Sequence, residues 1–180
     1  MADEEKKEKE NVFELPKEAA KILTDRLKYL KQKSSDIYYL CSCLYAEGYT
    51  GGSEEYFMQQ RKSCDRTFES TMEFLADRGK YPNVPSTKQP EIDFTDLNSG
   101  ILWLLVEENL ERKELNNQTT EIFGIDQEAY GFLSQQLQAL KYNGDSLRAK
   151  SEAFEDMDES MQRASEKDIF NSSPSLLQIG

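Results

Sequence analysis

The chain has 180 residues, 37% hydrophobic and 31% charged, with a formal net charge of −12 and no histidine. That balance fits one amphipathic, all-helical domain large enough to bury a core, and the acidic charge argues against nucleic acid and anionic membranes as partners. Without histidine there is no Ser-His or Cys-His nucleophile pair and no histidine-ligated zinc centre. The three cysteines, Cys41, Cys43 and Cys64, fall in helical segments and read as free thiols, not as a disulfide framework. There is no apolar run of about 18 residues and no signal-peptide core, so the expectation is a soluble, cytoplasmic protein.

Residues 1–14 open with MADEEKKEKEN, a charged tail with no apolar face, expected to be disordered. Pro16 then starts a long helix at a position where a missing N–H costs nothing. Its apolar positions are Ala20, Leu23, Leu27, Leu30, Ile37, Cys41 and Leu44, a heptad-like series with one gap at Ser34. The glycines of EGYTGGS make a short turn, which predicts a second helix folded back antiparallel from Ser53, with Ser53 as N-cap. That helix carries Phe57, Cys64, Phe68, Met72 and Leu75 on one face and stops at Arg78-Gly79.

From Lys80 to Ile92 the chain holds Pro82, Pro85 and Pro90 and shows no apolar periodicity. Thirteen proline-stiffened residues extend about 40 Å at roughly 3.1 Å each, and the second helix is also about 40 Å long at 1.5 Å per residue. A connection as long as its helix returns the chain to the starting end, so the third helix should run parallel to the second. That third helix is expected from Asp93, with Leu97, Ile101, Leu104, Leu105 and Leu110 on or near its buried face and Trp103 just off it; Glu107 and Glu108 interrupt the pattern. Gly124 breaks the chain. Asp126 caps a fourth helix marked by Leu133, Leu137, Leu140 and Leu147, running to about Phe154. The bundle is thus assigned to residues 15–156. The segment 157–180 is polar and offers one short fifth helix from Asp158 to Phe170, whose apolar face would be Met161, Ile169 and Phe170.

Four long helices with one long crossover between helices 2 and 3 form the ferritin-like bundle, and the residues resemble the ferritin family over about Pro16 to Lys150. QKSSDIYYL resembles the first-helix segment that carries a metal-binding glutamate and a nearby tyrosine. FLADRGKYPNVP resembles the end of the second helix and the loop after it. LVEENLERK is similar to the third-helix glutamate segment, and FLSQQLQALKYNGD to the fourth-helix segment with its glutamine.

The resemblance implies a dinuclear iron-oxidising site in active subunits, but its ligands are depleted in this chain. The matching positions are Gln32 for the first-helix glutamate, Cys64 and Thr67 for the second-helix Glu-x-x-His, and Tyr39, Glu107 and Gln136, which keep the family's residue types. Only Glu107 would bring an anionic ligand, so no metal is expected at high affinity and no cofactor is expected tightly bound. Each position also has a plainer reading: Cys64 as a small core residue, Tyr39 as packing, Gln32 and Gln136 as surface amides. If Glu107 faces inward it needs a partner, and Arg61, Lys62 or Arg66 of the second helix would serve. Asp126 and Glu128 lie where the family's acidic pore would be. The expectation is a non-enzymatic, light-type subunit of an iron-storage shell, partnered by copies of itself or by heavy-type subunits, with iron present only in the assembled shell. The alternative is a structural or chaperone-like oligomer that handles no iron.

Overall fold

The computed structural model describes residues 14–171, the side chain of residue 142 excepted; the charged stretch 1–13 and the last residues, 172–180, lie outside it. Five helices follow one another: α1 (Lys17–Ala46), α2 (Ser53–Asp77), α3 (Leu97–Ile122), α4 (Gln127–Ala153) and α5 (Glu159–Asn171). The principal packing is α1 against α2 and α3 against α4, so the bundle is two antiparallel hairpins, with α1 also meeting α3.

Contacts at the two ends fix the topology. At one end the Leu15 N–H donates to the Arg78 carbonyl at 3.2 Å, and the Arg78 guanidinium reaches Asp126 at 2.6 Å, which gathers the start of α1, the end of α2 and the start of α4. At the other end Ser53, Asp96, Asn98 and Phe154 all surround α5. Helices α2 and α3 therefore start at the same end and run parallel, as the length of the proline run requires. Between them the crossover follows the outside of α1. Pro82 to Pro85 lie against Thr24, Leu27 and Lys28, and Lys88 lies against Gln32.

Local chemistry sets the boundaries. Asp96 and Ser99 form a reciprocal capping box, Ser99 N–H donating to Asp96 Oδ1 at 2.8 Å and Asp96 N–H donating to Ser99 Oγ at 3.1 Å. That cap starts α3 at Leu97, four residues later than the Asp93 start read from the sequence. Gly52, at φ +122°, is the N-cap of α2, and Ser53 is its first helical residue. Gly79, at φ +73°, ends that helix in a left-handed conformation suited to glycine.

The core is divided. One apolar cluster fills the α5 end around Ile37, Leu40, Phe57, Leu104, Leu147 and Phe154. A second fills the Arg78 end around Leu15, Leu23, Leu75, Leu115 and Leu133. Between them lies a layer of buried polar groups. The third-helix apolar stripe departs from expectation at this layer: Leu110 is 54% exposed, and Glu108 and Glu111 are buried in its stead. The fifth helix also differs. Its buried face is Gln162 and Glu166, with Ile169 and Phe170 half-buried, while Met161 points to solvent.

Gln32 holds the crossover directly. Its Oε1 accepts from the Lys88 N–H at 2.7 Å and its Nε2 donates to the Lys88 carbonyl at 3.2 Å, so the amide takes the place of a neighbouring strand. Gln32→Ala should cost about 1 kcal/mol of stability and speed limited proteolysis between Tyr81 and Ile92, with helix content by circular dichroism unchanged.

Candidate functional site

The polar layer is built from positions that repeat at alternating spacings of four and three. On α1 the buried series is Ala19, Leu23, Arg26, Leu30, Lys33, Ile37, Leu40 and Leu44; on α3 it is Leu97, Ile101, Leu104, Glu108, Glu111, Leu115, Gln118 and Ile122. Each helix thus carries its apolar register through two charged residues, and the facing charges meet. Arg26 Nη2 binds Glu111 Oε1 at 2.6 Å, and the Lys33 ammonium binds Glu111 Oε2, with both cations and the carboxylate buried. Arg26 Nε donates to Gln136 Oε1 of α4 at 2.9 Å, and Gln136 Nε2 donates to Thr71 Oγ1 of α2 at 3.1 Å. One network therefore joins all four long helices.

A small cavity of about 50 Å³ opens beside this network, lined by Arg26, Lys33, Cys64, Thr67, Glu108, Glu111 and Gln136 among others. Burial drives the Glu111 carboxyl upward, but Lys33 and then Arg26 overcome it, and the net shift is below the ordinary value of 4.5. Burial alone would lower Lys33; Glu111 reverses that, and the ammonium is held above its ordinary 10.5. Glu108 is 2% exposed and its Oε2 has no hydrogen-bond partner among the described residues. Burial raises its carboxyl, with Lys33 only partly offsetting the effect. The Cys64 thiol is pushed up to about 11, by burial first, against the opposing charge of Lys33 and Arg26, so it stays a neutral S–H.

Of the sequence-selected residues, the fold gathers Cys64, Thr67 and Gln136 around the cavity. The other three lie elsewhere. Gln32 faces the crossover, and Tyr39 sits on the outer surface of α1 with its hydroxyl beside Cys43 one turn on. Glu107 is half-buried, within 3.4 Å of the Tyr29 hydroxyl, which also donates to its carbonyl at 3.3 Å. The ion pair expected between Glu107 and a basic residue of α2 is replaced by one between Glu111 and α1. Arg61 instead lies 3.8 Å from Asp65 and over the Tyr38 ring, and Arg66 donates to the Lys62 carbonyl. The charged cavity residues missed from the sequence are therefore Arg26 and Lys33 of α1 and Glu111 of α3, one helical turn beyond Glu107. Continuing the four-three register through charged positions would have found all three.

Asp126 and Glu128, expected at an acidic pore, are both engaged by Arg78. Asp126 also accepts from the Ala129 N–H at 2.9 Å as the cap of α4. Among the described residues, no group of three or more His, Cys, Asp or Glu is placed to hold a metal ion. No helix of these residues is long and apolar enough to cross a membrane.

This architecture is the ferritin-like four-helix bundle with an added fifth helix. Comparison with solved structures finds Mycobacterium tuberculosis bacterioferritin BfrA at a TM-score of 0.74 and 13% identity, covering 84% of this chain and 95% of that one. A second mycobacterial bacterioferritin aligns at 0.72 and 12% identity, covering 84% and 94%. A Dps1 mutant of Mycobacterium smegmatis aligns at 0.56 and 14% identity, covering 74% and 97%. These identities establish a shared fold. No family model and no curated protein sequence matches the chain.

Removing Glu111 leaves two buried cations without a counter-charge, so Glu111→Ala should cost about 3–5 kcal/mol. Its carboxyl is depressed in the fold, so its stabilisation is full above the ordinary 4.5 and fades as pH falls through the lower folded value. The gap between parent and variant, measured by urea unfolding, should be flat near neutrality and narrow only in acid. Glu108 has the opposite sign. Its raised carboxyl penalises the fold at neutral pH and not below 4.5, so Glu108→Gln should raise the melting temperature at pH 7 and leave it unchanged in acid.

Proposed function

We propose that the chain is a non-catalytic, light-type ferritin-like subunit, contributing to an intracellular iron-storage shell by assembling with copies of itself or with iron-oxidising subunits. The reading is carried by the two buried cations of the central layer, which already engage its one paired carboxylate. Cys64, Thr67 and Gln136, which match the family's second- and fourth-helix ligand positions, face a cavity whose remaining charged walls are Lys33, Arg26, Glu111 and Glu108. An iron-oxidising centre has to neutralise two divalent cations with oxygen and imidazole donors. Here Glu111 already answers two protein cations, and a neutral thiol and a hydroxyl stand at the Glu-x-x-His positions. Adding two iron ions would place four further positive charges beside Arg26 and Lys33.

The alternative, an oligomer that handles no iron, is favoured by two features. Between Gln59 and Arg66 the exposed face of α2 presents Gln59, Lys62, Ser63 and Arg66 where a mineral-nucleating surface would present carboxylates, with Glu55, Glu69 and Glu73 exposed only to either side, and Asp126 and Glu128 are drawn to Arg78 within the chain.

The purified chain should oxidise iron(II) in air no faster than a protein-free control at the same pH. Lys33→Glu, Cys64→Glu and Thr67→His together should introduce saturable oxidation, because they rebuild a carboxylate and imidazole set around the same cavity. Fast oxidation by the unmodified chain would overturn the assignment. Co-expression with a heavy-type ferritin separates the two readings: mixed shells loaded with iron support the storage role, and segregation into iron-free particles supports the alternative.

A further inference from the structure

The parallel course of α2 and α3 brings two helix N-termini together at one end of the bundle, each with backbone N–H groups that α1 to α4 leave unanswered. Helix α5 lies across both. Gln162 Oε1 accepts from the Asn98 N–H of α3 at 3.1 Å and Gln162 Nε2 donates to Asp96 Oδ2 at 2.9 Å. One turn further along, the Glu166 carboxylate accepts from the Ser53 N–H of α2 at 3.1 Å and from the Ser53 hydroxyl. Phe170 lies 5.5 Å from Tyr56 of α2 and 6.1 Å from Phe154, which ends α4. The helix thus grips the α1/α2 hairpin and the α3/α4 hairpin with the same two turns.

We propose that α5 is a latch: it holds the two hairpins together at this end, and its release lets them part, hinged at the opposite end where Arg78 meets Asp126 and Phe74 stacks on Phe132 at 4.5 Å. The junction between the hairpins begins, beneath α5, with the apolar cluster around Leu40 and Leu104. Its middle is the charged layer, where burial of ions returns far less than burial of hydrocarbon and where Glu108 Oε2 has no partner among the described residues. The crossover that links the hairpins runs outside the bundle, so connectivity does not oppose their parting. The turn between α1 and α2 is shaped for the latch. A Cβ on Gly51 would stand 3.1 Å from the Glu166 carboxyl and from the Lys167 nitrogen, and its φ is not in the left-handed region. Glycine there gives α5 room to seat. The proposal is independent of the iron reading.

The native cysteines report the opening. Cys64 lies between the hairpins, facing Glu111 and Gln136 across the cavity. Cys41 lies within the first hairpin, its Sγ 4.0 Å from the Glu54 carbonyl. Cys43 is half-buried and serves as the internal reference. In the full-length chain, N-ethylmaleimide labelling of each cysteine is followed by peptide mass spectrometry for the parent, for Gln162→Ala/Glu166→Ala, and for Gly51→Val, which presses on α5 from below. Both variants should label Cys64 at least tenfold faster, with Cys41 unchanged and helix content retained. Leu23→Ala, a cavity in the distant apolar cluster, sets the pattern of general destabilisation. If Cys64 and Cys41 accelerate together in the latch variants as in Leu23→Ala, or if Cys64 does not accelerate in either, the latch is overturned.

Discussion

Glu111 is the residue on which the interior depends. A carboxylate 2% exposed is tolerable only because each oxygen is answered by a cation, and each cation is tolerable only because of that carboxylate. Arg26 extends the dependence to Gln136 and through it to Thr71, so the alignment of all four helices along their axes is set by polar geometry. Apolar side chains could slide by a turn at modest cost; a forked guanidinium and a lysine converging on one carboxylate cannot. The layer thus supplies register where the two flanking apolar clusters supply most of the burial energy.

The two ends of the bundle follow from a single fact of connectivity. Because the crossover spans the whole length, α2 and α3 point the same way: as α1 and α4 begin together at the Arg78 end, α2 and α3 begin together at the α5 end. That end needs acceptors, and a polar fifth helix with Gln162 and Glu166 on its inner face provides them. The opposite end holds the C-termini of α2 and α3 beside the start of α4, and a single arginine near the α2 terminus suffices there.

Helix count, the parallel pairing of α2 and α3, and the path of the crossover were legible in the sequence because they rest on signals with unambiguous physics: glycine stops, proline stiffness and length. The centre was less legible. Lys33 and Arg26 were not singled out in the sequence, since lysine and arginine are seldom buried, and only the register running through them reveals otherwise. The start of α3 was placed early because Asp93 and Asp96 are both competent caps, and the choice is made by Ser99, which completes the reciprocal pair with Asp96 alone. The fifth helix was undervalued because its apolar content was weighed and its hydrogen-bonding inner face was not. A helix that docks through amide and carboxylate leaves no hydrophobic stripe to find.

The Arg78 end has a consequence for how force or heat would enter the molecule. There the first residues of α1 are tied by one backbone hydrogen bond to the Arg78 carbonyl, and the start of α4 by that same residue's side chain. Two separate chain segments share one anchor, whereas the other end is spread over a whole helix. The bundle is accordingly polarised: tension applied along α1 from its start would fall on Arg78 and on the Glu14–Lys80 ion pair beside it, and unzipping of the first hairpin would begin at its open end, travelling inward until it met the charge layer as a mechanical stop.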